Sequence, residues 1–127
     1  KILIDVTVPI IPPNVTKVQM PSSGSAAQEA LEVLGSEAKV VSAFQNISYE
    51  RLLNDKDIEC DVLVSGTGKS TREIVLKLVH DAGMIGWDAG PIENSVVAEG
   101  LTSILININK QFGSHTAGIR ITGVNRS

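Results

Sequence analysis

The chain has 127 residues, 43% of them apolar, with 14 acidic against 11 basic side chains and a net charge of −3. That length accommodates one domain, or one domain with an extra strand, and a charge balance without any basic run argues against nucleic acid as a partner. The single cysteine, Cys60, excludes an internal disulfide and fits a reducing, cytoplasmic setting, and no apolar run approaches the roughly 18 residues that a membrane span requires.

Ile2-Leu3-Ile4-Asp5-Val6-Thr7-Val8 follows Lys1 directly and has the composition of a buried strand. Such a strand needs neighbours on both sides, so we read the chain as a piece of a longer polypeptide. Residues 9–24 hold four of the five prolines. Pro12 and Pro13 forbid helix and interrupt sheet pairing, and a loop of that length is functional, disordered or a linker. Ser25 caps a helix to about Leu34, with Ala26, Ala27, Ala30, Leu31 and Leu34 on its buried face and Gly35 as its stop.

Residues 40–44 read as a strand, Asn46 or Ser48 caps a short helix through Leu53, and residues 62–65 read as a second buried strand. Ser70 or Thr71 opens the next helix; Ile74, Val75, Leu78, Val79 and Ala82 keep helical spacing, and Gly83 ends it. Residues 84–87 form another strand. The longest helix is expected from about Asn94 to Phe112, with Val97, Leu101, Ile104, Leu105, Ile108 and Phe112 on one stripe. Gly100 in its middle costs about 1 kcal/mol relative to alanine, which close packing would explain. Residues 117–122 are expected as a last strand. This alternation predicts an α/β fold, a mainly parallel layered sheet with flanking helices.

Gly66-Thr67-Gly68-Lys69-Ser70-Thr71 imitates a phosphate-binding loop, but Leu63 stands where its first glycine belongs, so a tight strand-to-helix turn with a serine cap is the simpler reading. His80 and His115 are expected on the surface, far from any metal-ligand spacing. Asp88 and Glu93 flank Gly90-Pro91 and read as helix-start carboxylates. Trp87 is expected in the core with a partner for its indole N–H. Asn107 and Asn109 fall on different helix faces; one of them lining a pocket is the alternative, and exposure of both is the simpler reading. No catalytic dyad emerges.

Three blocks carry a family resemblance: Val40-Val41-Ser42-Ala43-Phe44-Gln45-Asn46-Ile47-Ser48, Cys60-Asp61-Val62-Leu63-Val64-Ser65-Gly66 and Asp88-Ala89-Gly90-Pro91-Ile92-Glu93-Asn94. With Gly24-Ser25-Ala26-Ala27-Gln28-Glu29 before them and Glu99-Gly100-Leu101-Thr102-Ser103-Ile104-Leu105-Ile106-Asn107-Ile108-Asn109 after, they resemble, in order, the C-terminal portion of the NADPH-dependent coenzyme F420 reductases. The resemblance implies the C-terminal part of a Rossmann-type two-domain reductase. Residues 1–8 would be the last strand of a dinucleotide-binding domain, residues 9–24 a Pro/Ser-rich loop, and residues 25–127 a C-terminal α/β domain.

It also implies hydride transfer between NADP(H) and coenzyme F420, with both cofactors positioned face to face and no protein acid or base needed. Val8 and Pro9 would lie near the nicotinamide, and Gln45, Asn46 and Ile47 would wall the transfer pocket. Tyr49 would line the cofactor edge, and Ala117 and Gly118 would bring backbone close to the deazaflavin. Relatives often carry histidine at the position of Gln45; an amide hydrogen-bonds a ring carbonyl but cannot become cationic. The chain has no Gly-x-Gly-x-x-Gly turn for a dinucleotide, so by itself it is expected to bind NADPH poorly. A homodimer is expected. The alternatives are a non-catalytic binding or dimerisation module and a flavin-linked NADPH reductase.

Overall fold

A computed structural model of the chain describes residues 1–54 and 58–126. Four strands, β1 (Ile2–Asp5), β2 (Lys39–Ser42), β3 (Asp61–Gly66) and β4 (Ile85–Gly90), form one sheet in the order β1-β2-β3-β4. The β1–β2 and β3–β4 pairs are parallel and the β2–β3 pair is antiparallel, through only Val41 opposite Gly66 and Ser42 opposite Ser65. The helices are α1 (Ala26–Leu34), α2 (Tyr49–Asn54), α3 (Lys69–Asp81) and α4 (Ser95–Phe112), the last preceded by a 3-10 turn at Ile92–Asn94.

Period-two alternation sorts the strand side chains into two cores. Val41, Ala43, Val62 and Val64 pack against Val75 and Val79 of α3, with Met84, Cys60 and Ile47 completing that cluster. Val40 points the other way, toward Ala27 of α1 and Ile92.

Local chemistry sets several boundaries. β1 stops at Asp5, short of residue 8, because the Asp5 carboxylate accepts from the Thr7 amide at 2.8 Å and its hydroxyl at 2.6 Å, turning the chain. β2 ends before Phe44, whose φ of 72° is left-handed and leaves the pleat. Ser25 caps α1 by accepting from the Gln28 amide at 3.1 Å, and the Gly35 N–H returns to the Leu31 carbonyl. Ser48, not Asn46, serves α2, accepting from the Glu50 amide at 3.3 Å. Gly68 begins α3 with no side-chain cap, so the expected serine cap is not used. The Thr67 hydroxyl instead accepts from the Val40 amide at 3.0 Å, and Arg72 spans Asp88 and the Gly66 carbonyl.

Two expectations need larger correction. Residues 117–122 are not a strand. Their one backbone bond to the sheet runs from the Asp61 N–H to the Ile119 carbonyl at 2.8 Å, and the Ile121 N–H is taken by the Asp61 side chain, so no ladder propagates. The stripe of α4 is also largely turned outward. Val97, Ile104, Ile108 and Phe112 are exposed, whereas Ser95, Ala98, Glu99, Gly100, Ser103 and Leu105 are buried. Gly100 is small because the proline-rich loop crosses there: a Cβ would stand 3.2 Å from Val18 Cγ1 and 3.5 Å from Met20 Cε. No helix among the described residues is long and apolar enough to cross a membrane.

Candidate functional site

Gln45, Asn46 and Ile47 leave β2 as a buried turn pinned from two directions. Gln45 Nε2 donates to the Asp5 carbonyl at 2.8 Å, tying the turn to the end of β1. The Gln45 carbonyl accepts from Thr102 Oγ1 at 2.7 Å, and Asn46 Nδ2 donates to the Ala98 carbonyl at 2.8 Å, tying it to α4. Gln45 Oε1 is buried with no hydrogen-bond partner among the described residues. Asn46 therefore spends its amide on the fold, and Gln45 keeps one acceptor.

Ile47 and Tyr49 share a hollow of about 510 Å³ with Val6, Phe44, Leu52 and Met84, at the exit of β1 and β2. Its walls are almost wholly apolar. Tyr49, the first residue of α2 and 70% exposed, also borders a second hollow of about 530 Å³ with Ile106, Asn109, Lys110, Ser114 and His115. Val8 and Pro9 follow β1 half-buried, with the Val8 carbonyl accepting from the Ile10 amide, and do not line the apolar hollow.

Ala117 and Gly118 lie in the irregular tail. The Ala117 N–H donates to Asn109 Oδ1 at 3.0 Å, so of the two helix asparagines it is Asn109 that faces inward. Gly118 rests on Cys60 and beside the Asn46 carbonyl: a Cβ there would stand 2.2 Å from Cys60 Sγ and 3.4 Å from that oxygen. The 45–47 turn and Gly118 thus meet at one end of the sheet, with α4 holding the first through Thr102 and the tail through Asn109.

Two buried carboxylates frame this end, and neither stood out in the sequence. Asp61, fully buried at the start of β3, accepts from Trp87 Nε1 at 2.9 Å, from the Ile121 amide at 2.7 Å and from both Nη atoms of Arg126. Burial alone would push its carboxyl up; the Arg126, Ile121 and Trp87 hydrogen bonds outweigh that and hold it at about 2. Because its folded value lies below its unfolded one, its stabilisation is complete above about pH 4 and is lost as pH falls toward 2. We expect an acid titration of stability to show an Asp61-dependent loss of about 2 kcal/mol over that window. Denaturant melts of the parent and Asp61→Asn would check it, since the Asn variant should lack that component.

Glu99 of α4 is the other. Its carboxylate accepts from the Ala26 amide at 2.6 Å and the Ala27 amide at 3.2 Å, capping the first turn of α1 from a neighbouring helix. Beside it, Ser25 Oγ and Ser95 Oγ lie 2.6 Å apart, and Ser95 donates to the Ile92 carbonyl. Burial pushes the Glu99 carboxyl up, and the two amides and Ser25 only partly offset it; Asp5 adds to the rise.

Comparison with known proteins gives these features a setting. No family model matches the chain. The F420-dependent NADP reductase of Methanocaldococcus jannaschii is 36% identical over 129 residues, covering 98% of this chain and 57% of that protein. The enzymes of the same name from Methanothermobacter thermautotrophicus and Methanothermobacter marburgensis are 35% and 34% identical, again over 98% of this chain. The chain therefore spans little more than half the length of these relatives.

Among solved structures, one from Arthrobacter sp. FB24 that carries the F420-dependent NADP reductase name superposes with a TM-score of 0.80 over 96% of this chain and 57% of its own, at 22% identity. A protein of Sinorhizobium meliloti follows at 0.58, over 79% of this chain and 47% of its own, at 24% identity. These two speak for the fold. Sequence identity across nearly the whole chain makes it similar to the C-terminal part of the F420-dependent NADP reductases, of whose length it spans little more than half.

Proposed function

We propose that the chain forms the deazaflavin-side part of an oxidoreductase that transfers hydride between NADP(H) and coenzyme F420. The observation that carries this reading is the apolar hollow at the strand exits, bordered by Ile47 and Tyr49, next to a turn that keeps a buried acceptor. A flat, largely apolar ring with polar edges suits such walls. Bound F420 supplies the hydride-accepting chemistry. The residues of this chain orient and desolvate: Ile47 and Phe44 offer apolar faces, Gln45 and Asn46 fix the turn behind them, and Gly118 we assign to a close backbone approach. Val8 and Pro9 we assign to the nicotinamide side.

The dinucleotide itself we assign to a portion outside this chain, joined at the β1 edge. Among the described residues β1 pairs with β2 on one side only, and Leu3 and Val6 are 42% and 53% exposed beside it. A reducing cytoplasm suits the lone thiol.

Titrating F420 with the chain and following deazaflavin fluorescence tests the proposal. Saturable quenching is expected, weakened roughly tenfold by Ile47→Ala, the loss of about 1.4 kcal/mol of apolar contact. FMN in parallel distinguishes the flavin-linked alternative. Quenching by FMN alone, or none by F420, would remove the reading.

The outward stripe of α4 favours one addition, a homodimer. Val97, Ile104, Ile108 and Phe112 form an uncharged apolar surface that a second copy can meet without like-charge repulsion. Ile104→Glu combined with Phe112→Lys is expected to convert a dimer to a monomer in light scattering, with the melting temperature of the fold little changed.

A further inference from the structure

The tail from Ser114 to Arg126 has no regular secondary structure, yet it lies along the entrance to β3 at three fixed points. Asn109 Oδ1 holds the Ala117 N–H, the Asp61 N–H holds the Ile119 carbonyl, and the Asp61 carboxylate holds both the Ile121 N–H and the Arg126 guanidinium. Arg126 Nη1 also donates to the Ile121 carbonyl at 2.7 Å, so the last residues fold back on the same carboxylate. Trp87 Nε1 donates to that carboxylate as well, fixing it against β4.

We propose that the Asp61–Arg126 pair is a latch that closes the C-terminal strap over Cys60 and so sets the position of the Ala117 and Gly118 backbone. Two observations carry it. Asp61 is completely buried while the Arg126 side chain remains 21% exposed, so the clasp closes from the solvent side and can be released without disturbing the sheet. Between the first and last anchors sits Gly118, on Cys60 Sγ and beside the Asn46 carbonyl, with no room for even a methyl group. A strap that tight has one seated position, and the Arg126 end decides whether it is occupied. The low carboxyl value of Asp61 keeps the latch charged throughout the neutral range. For the cofactor, Asp61 and Arg126 are positioning residues; that consequence rests on the function proposed above, whereas the latch itself does not.

Cys60 is the chain's one cysteine and is buried under the strap, so its thiol reports on the latch. The experiment measures its reaction with an aromatic disulfide reagent in the native chain, the Arg126→Gln variant, the Arg126→Lys variant and an Arg120→Gln control. Arg120 is exposed on the same strap but takes no part in the clasp. Arg126→Gln should raise the labelling rate roughly tenfold or more by local opening, Arg126→Lys should restore part of the protection, and Arg120→Gln, which removes a cation from the small hollow that Cys60 borders, should label no faster than the parent. Losing a cation slows an anionic reagent, so acceleration cannot come from the charge change alone.

Asp61→Asn should behave as Arg126→Gln does. Should it fail to fold, the Arg126 variants still decide. Unchanged labelling in Arg126→Gln, or acceleration matched by Arg120→Gln, overturns the latch. F420 titration of the same proteins separates the two readings: quenching weakened in Arg126→Gln supports the positioning role, and quenching at parent affinity despite faster labelling overturns it. A parent chain that quenches no F420 removes the function proposal while the labelling result still judges the latch.

Discussion

Gly66→Ala is expected to unfold the domain or leave it at least about 3 kcal/mol less stable. A Cβ at Gly66 would stand 2.7 Å from the Val40 carbonyl oxygen and 2.9 Å from Val41 Cα. Both are backbone atoms of the adjoining strand, so no rotamer change relieves the contact. Overpacking in a core that can yield costs about 1–3 kcal/mol; here β2 and β3 must separate. Their pairing comprises only Val41 with Gly66 and Ser42 with Ser65, so one added methyl acts on half of it. The Thr67 hydroxyl, which accepts from the Val40 amide, would be displaced too. Urea melts of parent and variant check this, and a difference under about 1 kcal/mol would contradict it.

Glu99→Ala should be the next most damaging change, at roughly 3 kcal/mol. It strips acceptors from the Ala26 and Ala27 amides, each buried donor costing about 1–3 kcal/mol when unpaired, and opens a void where a fully buried side chain stood. Part of that is returned, because burial of the carboxylate outweighs what its hydrogen bonds recover, as its raised carboxyl shows.

The pH dependence gives the sharper signature. A carboxyl raised in the folded state binds its proton more tightly there than in the unfolded chain, so the parent gains stability as pH falls from neutrality through the folded value toward the unfolded one. Glu99→Gln has no such titration. The gap between parent and Gln variant should move in the parent's favour on acidification from pH 7 to about 4.5. Asp61 acts in the opposite sense at lower pH, so the parent's profile should rise and then fall. A gap independent of pH would mean that Glu99 is not the buried charge described.

Much of this fold could be read from residue order. Ser25 and Gly35 bound α1 as expected, Gly83 follows α3, and Trp87, half-buried rather than in the core, found its indole partner in Asp61. These signals are local: a cap or a stop acts within one turn of chain. The turn at Gln45, Asn46 and Ile47 lies beside Gly118, a pairing that only the family resemblance, and no local signal, had suggested. The orientation of α4 was not legible. Periodicity shows that a helix has an apolar face, but not whether that face meets its own sheet or the outside. The inner side of α4 is polar because it serves the first turn of α1, through Glu99 and Ser95, and the 45–47 turn, through Thr102. Nor was the tail legible. Ile119-Arg120-Ile121-Thr122 alternates like a strand, but the Ile121 N–H is claimed by the Asp61 carboxylate, which sequence distance hides, and the Ile121 carbonyl by Arg126.

The antiparallel junction of the sheet has a bearing on the site that straddles it. The wall from Gln45 to Ile47 is an extension of β2, whereas the strap with Gly118 is riveted to β3. Two short plates, each internally parallel, therefore carry the turn and the strap separately, and their seam holds only two residue pairs. The beam across that seam is α4, bolted to the turn by Thr102 and to the strap by Asn109. The alignment of the two is thereby governed by one stretch of helix as much as by the sheet, and a change in the register or tilt of that helix would shift turn against strap without altering a side chain in either.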